Sequence, residues 1–415
     1  MRFNFQFKPF SKKQLKILTW WQDKSPVCKA QGIIADGSIR SGKTLSMAIS
    51  FIFWAMETFD GENFAMCGKT VGSFRRNVWS WLKFALLSLG YKIEEKMTTN
   101  MIIIRFKHKV NYFYIFSGKD ESSQNLIQGI TLAGVFFDEV ALMPESFVNQ
   151  ATGRCSVEGS KFWFNCNPES PEHWFKKNWI DKAEEKQLIH LHFVLEDNLS
   201  LAQEIIARYK SMYFGVFYQR FILGLWVIAE GAIYDMFKDE NLYEDSERNP
   251  NIAYRRYVTV DYGTTNPMVF LEIFDDGTVM WVEREYYYDS REKGMQKTDS
   301  QYADDFDEFC GEKRPDFVIV DPSCASFKLE LRNRGYRVKD AENDVLYGIR
   351  LVSSLFGMMK LRINRRCKHT ITEHRSYVWD EKARLRGEEK PVKEADHSCD
   401  SLRYGVATMV RRNRL

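Results

Sequence analysis

The chain has 415 residues, of which 44% are hydrophobic, 15% aromatic and 28% charged, with a formal net charge of +3. That length predicts two or three domains with cores of their own, and the composition excludes wholesale disorder and small disulfide-held scaffolds. Near-balanced charge neither demands nor forbids nucleic acid, so any basic surface must be local, as in the cluster Arg105, Lys107, His108, Lys109 and the run Arg362, Arg365, Arg366, Lys368, His369. The eight cysteines occur singly, without CxxC spacing, which points to reduced thiols rather than a zinc ribbon. Residues 1–5 lack the apolar core of a signal peptide, and residues 45–56 are too short an apolar run to span a bilayer. A soluble, intracellular protein without a membrane partner is expected.

In chain order, Gln14 comes first, placed ahead of the first apolar strand where an amide can contact an adenine base; an exposed helical glutamine is the ordinary alternative. The next segment, Gly37-Ser38-Ile39-Arg40-Ser41-Gly42-Lys43-Thr44, satisfies the phosphate-loop pattern GxxxxGKT at every specified position. Its glycines let backbone N–H groups turn around an anion, Lys43 can reach the outer phosphates of ATP, and the Thr44 hydroxyl can ligate magnesium. Residues 32–35 before the loop are apolar and residues 44–59 after it are mostly apolar over helical length. Strand, loop, helix is the order the motif requires, and the helix N-terminus adds its positive dipole end. Arg40 reads equally as an arginine finger in cis or as a solvent-facing loop residue. Arg75 and Arg76 head an aromatic helical stretch and are candidates for facing DNA or a neighbouring subunit's nucleotide.

The run Val135-Phe136-Phe137-Asp138-Glu139 reads as a buried Walker B strand delivering two acids at its carboxyl end. Asp138 is then a magnesium ligand, and Glu139 the base that orients or deprotonates the attacking water. A third apolar strand ends in amides at Asn165-Cys166-Asn167-Pro168. Either Asn165 or Asn167 can sense the terminal phosphate, and an Asn-Pro turn closing a strand is the equal alternative.

Residues 1–230 are assigned to a P-loop ATPase domain including a small lid region, and the polar, acidic residues 231–251 to a linker. Residues 252–415 are assigned to a second α/β domain. An alternating strand ends at Asp261, two further strands follow over residues 268–274 and 279–287, and a later buried-type strand ends at Asp321. This is the opening of a ribonuclease-H-like sheet, in which the later strand lies beside the first. A C-terminal helix should supply the third acid, from Asp396 or Asp400; Asp400 is preferred because Asp396 suits an N-cap. Three such carboxylates repel one another unless cations lie between them, which suits two magnesium or manganese ions about 4 Å apart, with His397 as a further ligand or proton carrier. For each aspartate alone, a strand-end turn or helix cap is the commoner role. Residues 377–393 predict a charged hairpin flanking this centre, a rim for phosphate backbone.

Taken together, the GSIRSGKT loop, the VFFDE strand, the FNCNP segment, the VDYGTTNP strand end and the PVKEADHSCDSLRYG tail resemble the large terminase subunit of tailed bacteriophages over nearly the full chain. The resemblance implies an ATP-driven motor that moves double-stranded DNA into a procapsid and cuts it, with Asp261, Asp321 and Asp400 at the metal centre and the Asn-bearing segment as coupling motif. It also implies a homo-oligomeric ring on a portal protein, a small terminase partner, and the cytoplasm of an infected bacterium, with transient docking on the procapsid. The rival enzyme reading is a repair or recombination helicase-nuclease, disfavoured by the absence of a second helicase core of comparable length. From a different class, a non-catalytic DNA-binding protein would show neither ATP turnover nor metal-dependent cleavage.

Overall fold

The computed structural model describes residues 7–249, 251–264, 266–385 and 388–413. Pro250, Thr265 and the hairpin-tip residues Arg386 and Gly387 lie outside them. The chain divides into two compact units, Met1–Arg208 with Tyr218–Ile228, and Tyr209–Phe217 with Ala229–Leu415.

The first unit is built on eight strands: β1 (Gly32–Gly37), β2 (Asn63–Gly68), β3 (Lys92–Lys96), β4 (Met101–Phe106), β5 (Lys109–Ser117), β6 (Gly134–Phe137), β7 (Lys161–Asn165) and β8 (Leu188–Phe193). Their order is β3-β4-β5-β2-β6-β7-β1-β8. The pairings from β5 to β8 are all parallel, and only the β3-β4-β5 edge is antiparallel. β1 and β6 are buried along their whole length, as continuous apolar runs in a covered parallel sheet must be. The Lys43–Thr58 helix lies over the sheet, and its Phe51 ring sits within 5.3–6.2 Å of those of Trp54, Phe64, Phe113, Phe136 and Trp163. Much of the chain's aromatic content is spent in this core, where edge-on ring packing fixes helix against strands. The essential consequence is topological: β6, β7 and β1 are adjacent and parallel, so the three predicted chemical strand ends emerge side by side.

The second unit carries β9 (Leu242–Tyr243), β10 (Arg255–Asp261), β11 (Met268–Asp275), β12 (Met280–Tyr288), β13 (Phe317–Val320), β14 (Val338–Asp340) and β15 (Leu361–Asn364), ordered β14-β13-β10-β11-β12-β15-β9. β10 to β12 form the expected antiparallel meander, and β13 lies parallel beside β10, with Val260 opposite Val320. Both strands therefore end together, at Asp261 and Asp321. The His397–Asn413 helix packs on β10 and β11. Its approach needs Gly405, where a Cβ would come within 2.5 Å of the Thr259 side chain.

Three features differ from the sequence expectation. Residues 231–251 carry β9, which pairs with β15, and Asn241 and Tyr243 are buried; the acidic residues around them mask these few inward positions. Residues 209–217, assigned from the sequence to the first domain, cluster with the second unit. In the stretch 377–393 the described residues form two isolated antiparallel bridges, Trp379 to Pro391 and Val378 to Ala232, and carry the Glu381–Leu385 helical turn. Among the described residues, no helix is long and apolar enough to cross a membrane.

Candidate functional site

In the first unit, Gly37 has φ +121°, and a Cβ there would fall 2.0 Å from the Phe193 carbonyl oxygen, so the loop can begin only with glycine. Gly42, at φ +84°, starts the helix. The loop is tied to its surroundings by Ser38 N–H donating to Phe193 O at 2.8 Å and Ile39 N–H donating to Phe221 O at 2.9 Å. Lys43, only 6% exposed, donates through Nζ to Gly37 O at 2.9 Å, Ser38 O at 2.5 Å, Ser41 Oγ at 3.2 Å and Asn167 Oδ1 at 3.3 Å. Burial pushes its pKa down to about 8, against the opposing pull of the Cys166, Asp36, Glu139 and Asp138 charges.

Across from Lys43, Thr44 Oγ1 donates to Asp138 Oδ1 at 3.0 Å. Asn165 binds the same carboxylate oxygen through Nδ2 at 2.9 Å, lies 3.4 Å from Thr44 Oγ1, and accepts the Glu139 N–H at 3.0 Å. This one buried amide therefore touches the loop threonine and both acids of the Walker B strand. Glu139 is exposed with φ +57°, a left-handed conformation that a non-glycine residue holds only when its surroundings impose it. Burial raises the Asp138 pKa, with the Asn165 and Thr44 hydrogen bonds and the Lys43 charge opposing. Thr44 and Asp138 bring hard oxygen donors together, which suits magnesium.

Of the two amides, Asn165 makes the bridge and Asn167 faces Lys43. Arg40 is exposed at φ +55°, its carbonyl accepting the Asn198 amide at 2.7 Å. Gln14 is 4% exposed rather than solvent-facing; its Oε1 accepts the Ser11 N–H at 2.8 Å in a capping box. It lines a cleft of about 220 Å³ with Phe7, Phe10, Gly42, Leu45 and Asn198. Arg75 turns inward to Glu95 at 2.9 Å, whereas Arg76 is exposed.

One network had gone unread in the sequence. Asp36, the residue before Gly37, is 1% exposed and accepts from His190 Nε2 at 2.8 Å, His192 Nδ1 at 3.2 Å and Trp226 Nε1 at 2.7 Å. Burial works to raise its pKa, but these donors hold it far below the usual carboxylate range. The available signal was His190-Leu191-His192, two imidazoles at the two-residue spacing that puts them on one face of a strand.

In the second unit, burial raises the Tyr404 pKa against the Arg403 charge, and the charges of Asp400, Asp261 and Asp321 add to the rise. Each is already partnered. His397 Nδ1 pairs with Asp261 Oδ2 at 2.9 Å, and Asp321 Oδ1 accepts the Ser323 N–H at 2.7 Å and its hydroxyl at 2.5 Å. Asp400 binds Lys393 at 2.9 Å and Arg403 at 3.0 Å. Burial raises the Asp261 pKa, and the neighbouring Asp400 and Asp396 charges add to it while His397 opposes. Asp396 directly precedes the helix and its backbone oxygen accepts the Asp400 N–H at 2.8 Å, the capping place expected of it, while its carboxylate lies 3.0 Å from Lys393. Among the described residues no three His, Cys, Asp or Glu groups stand at metal-holding distances. Glu373, also unread, is 4% exposed and caps the helix by accepting the Ser398 N–H at 2.5 Å and the Tyr287 hydroxyl at 2.9 Å.

The chain is similar to known proteins along nearly its whole length. A family model described as terminase large subunit, T4likevirus-type, N-terminal, matches residues 34–240. The terminase large subunit of Escherichia phage T5 is 25% identical over 303 residues, which cover 67% of this chain and 65% of that protein, just under two thirds of its length. The solved large terminase of a thermophilic bacteriophage is 54% identical, with 97% of this chain and 100% of that chain covered and a TM-score of 0.92. The same phage's enzyme in complex with ADP gives 54% identity, coverage of 97% and 100%, and a TM-score of 0.89. With a likeness this close over its whole length, the chain belongs to the family of bacteriophage large terminase subunits.

Proposed function

We propose that the chain is the motor and cutter of viral genome packaging: ATP hydrolysis in the first unit drives double-stranded DNA into a procapsid, and a metal-dependent nuclease in the second cuts concatemeric DNA. The observation that carries the motor reading is the meeting of Lys43, Thr44, Asp138, Glu139 and Asn165 at adjacent parallel strand ends. Support comes from the large terminase of the thermophilic phage, which has been solved with ADP bound. Lys43 leaves the loop carbonyls for the outer phosphates, and the loop N–H groups from Arg40 to Thr44 cradle them. Thr44 and Asp138 hold magnesium, which when bound neutralises charge on the phosphate oxygens. Glu139 orients and deprotonates the attacking water, Asn165 keeps that carboxylate in register with Asp138, and Arg40 is the cis arginine. The cleft at Gln14 would hold the base.

In the nuclease, Asp261, Asp321 and Asp400 are the ligands, with His397 against Asp261. Magnesium or manganese suits these oxygen donors and supplies an activated water and a stabilised leaving oxygen. The packaging partners are a portal protein, a small terminase subunit and further copies of this chain in a ring, all in the cytoplasm of the infected host. The test is a pair of variants of the full chain. Lys43→Ala abolishes ATP hydrolysis and spares manganese-dependent cutting, and Asp321→Ala does the reverse. Loss of both activities in both variants would contradict two independent centres.

A further inference from the structure

One side chain belongs to two places at once. Asn198 lines the cleft beside Gln14, and its Nδ2 donates to the carbonyl of Arg40 at 2.7 Å. Its orientation is not free, because Oδ1 accepts both the Ser200 N–H at 3.1 Å and the Ser200 hydroxyl at 2.7 Å, leaving only the amide nitrogen to face the loop. The turn carrying it is anchored as well: Asp197 Oδ2 accepts the Val194 N–H at 2.8 Å and binds Lys13 at 2.7 Å. At the other end of the contact, Arg40 sits at φ +55°. For an arginine that conformation is strained, and something must hold it. Two bonds fix the loop's first turn from outside, at Ser38 and Ile39, while the Arg40 carbonyl is held by Asn198.

Resting on the ATPase reading, we propose that Asn198 is a positioning residue that couples occupancy of the base cleft to the placement of the Arg40 guanidinium over the transferring phosphate. The wall of the cleft at Asn198 and Ser200 is rigid on its far side and bonded to the loop on its near side. A purine filling the cleft packs against that wall and keeps the amide on the Arg40 carbonyl when the phosphates pull on the loop. A triphosphate without a base engages the loop but leaves the wall unloaded. The base thus contributes to turnover as well as to affinity, and the contribution runs through one hydrogen bond.

The experiment compares ATP with inorganic tripolyphosphate, a probe lacking base and sugar, each at saturation with magnesium, on the full-length native chain and on Asn198→Ala. The ratio of ATP to tripolyphosphate turnover is expected to fall about tenfold in Asn198→Ala, through loss of arginine alignment. In an Arg40→Gly background, where glycine takes the left-handed conformation without support, Asn198→Ala should change the ratio by less than about twofold. Equal falls for both probes, leaving the ratio where it was, would overturn the proposal and reduce Asn198 to a loop brace. So would a full additive loss in the Arg40→Gly background. A native chain that turns over neither probe would instead sink the ATPase reading itself, a result plainly different from an unaltered ratio.

Discussion

Replacing Asn165 by alanine tests the hydrolytic centre most directly, because the consequences can be worked out bond by bond. The side chain is 1% exposed, so its removal opens a buried hole lined by polar groups. The Glu139 N–H loses its acceptor at 3.0 Å, and the Asp138 carboxylate loses a donor at 2.9 Å. An orphaned buried donor costs about 1–3 kcal/mol and a lost hydrogen bond to a charged group about 1.5–3 kcal/mol. Relaxation and water entry recover part of this, so a destabilisation of roughly 2–4 kcal/mol is expected for the first unit. The functional cost follows from Glu139, whose left-handed backbone the Asn165 carbonyl helps to hold. Once released, the carboxylate drifts from the water it must orient, and kcat for ATP should drop about a hundredfold. Nucleotide affinity should change by less than about threefold, because the loop N–H groups and Lys43 remain in place. Steady-state ATP hydrolysis, nucleotide titration and thermal unfolding on the same preparation separate these effects. If Asn165→Ala loses stability as described yet keeps kcat within about threefold of the native value, the amide only packs the strand end and the coupling role fails.

Two further outcomes follow from single residues. Gly37→Ala places a Cβ 2.0 Å from a backbone oxygen at φ +121°, and should cost at least about 2 kcal/mol and abolish nucleotide binding; a variant that titrates with ATP as the native chain does would refute the loop geometry. His374 is 1% exposed, stacked 5.3 Å from Tyr234, and burial pushes its pKa down to about 4. Its folded pKa lies below the unfolded one of about 6.5, so the unfolded chain takes the proton first. The stabilisation is complete above about pH 6.5 and is lost progressively as pH falls towards about 4, a span of roughly 3 kcal/mol. His374→Phe should flatten the stability–pH curve over that window, and an unchanged slope in denaturant unfolding would refute the assignment.

The legible parts of this molecule are those where a short apolar run ends in a chemical group. β1, β6 and β7 announce themselves that way, and so do β10 and β13, because a buried strand must be apolar and its carboxyl end must leave the sheet. What escaped is set by distance along the chain. Asp36 is joined to His190, His192 and Trp226 across 154, 156 and 190 residues, and no local pattern records such a pairing. Residues 231–251 look like a linker because their acids are interleaved with the buried Ile233, Tyr234, Phe237, Asn241, Leu242 and Tyr243 that seat them in the second unit. Asp261, Asp321 and Asp400, the aspartates proposed for the nuclease, could be read as types and by strand order, but not the partners they hold.

Those partners separate the two acidic centres. In the ATPase site the hydrogen bonds to Asp138 come from neutral groups, the Thr44 hydroxyl and the Asn165 amide, so a cation there displaces no ion pair among the described residues. In the nuclease Asp400 already binds Lys393 and Arg403, and Lys393 also reaches Asp396 at 3.0 Å. A divalent ion at Asp400 must compete with that ammonium. Lys393 is 60% exposed at its side chain, so solvent screens the pair and its worth is at most about 1 kcal/mol. Lys393→Met should therefore tighten manganese binding at this centre by up to about fivefold. Calorimetric titration of the full chain with manganese alone, without DNA, reads this independently of cutting. Weaker binding in Lys393→Met would reverse the argument: the lysine would then be preparing the acids for the ion by holding Asp396 and Asp400 together, rather than standing in its place.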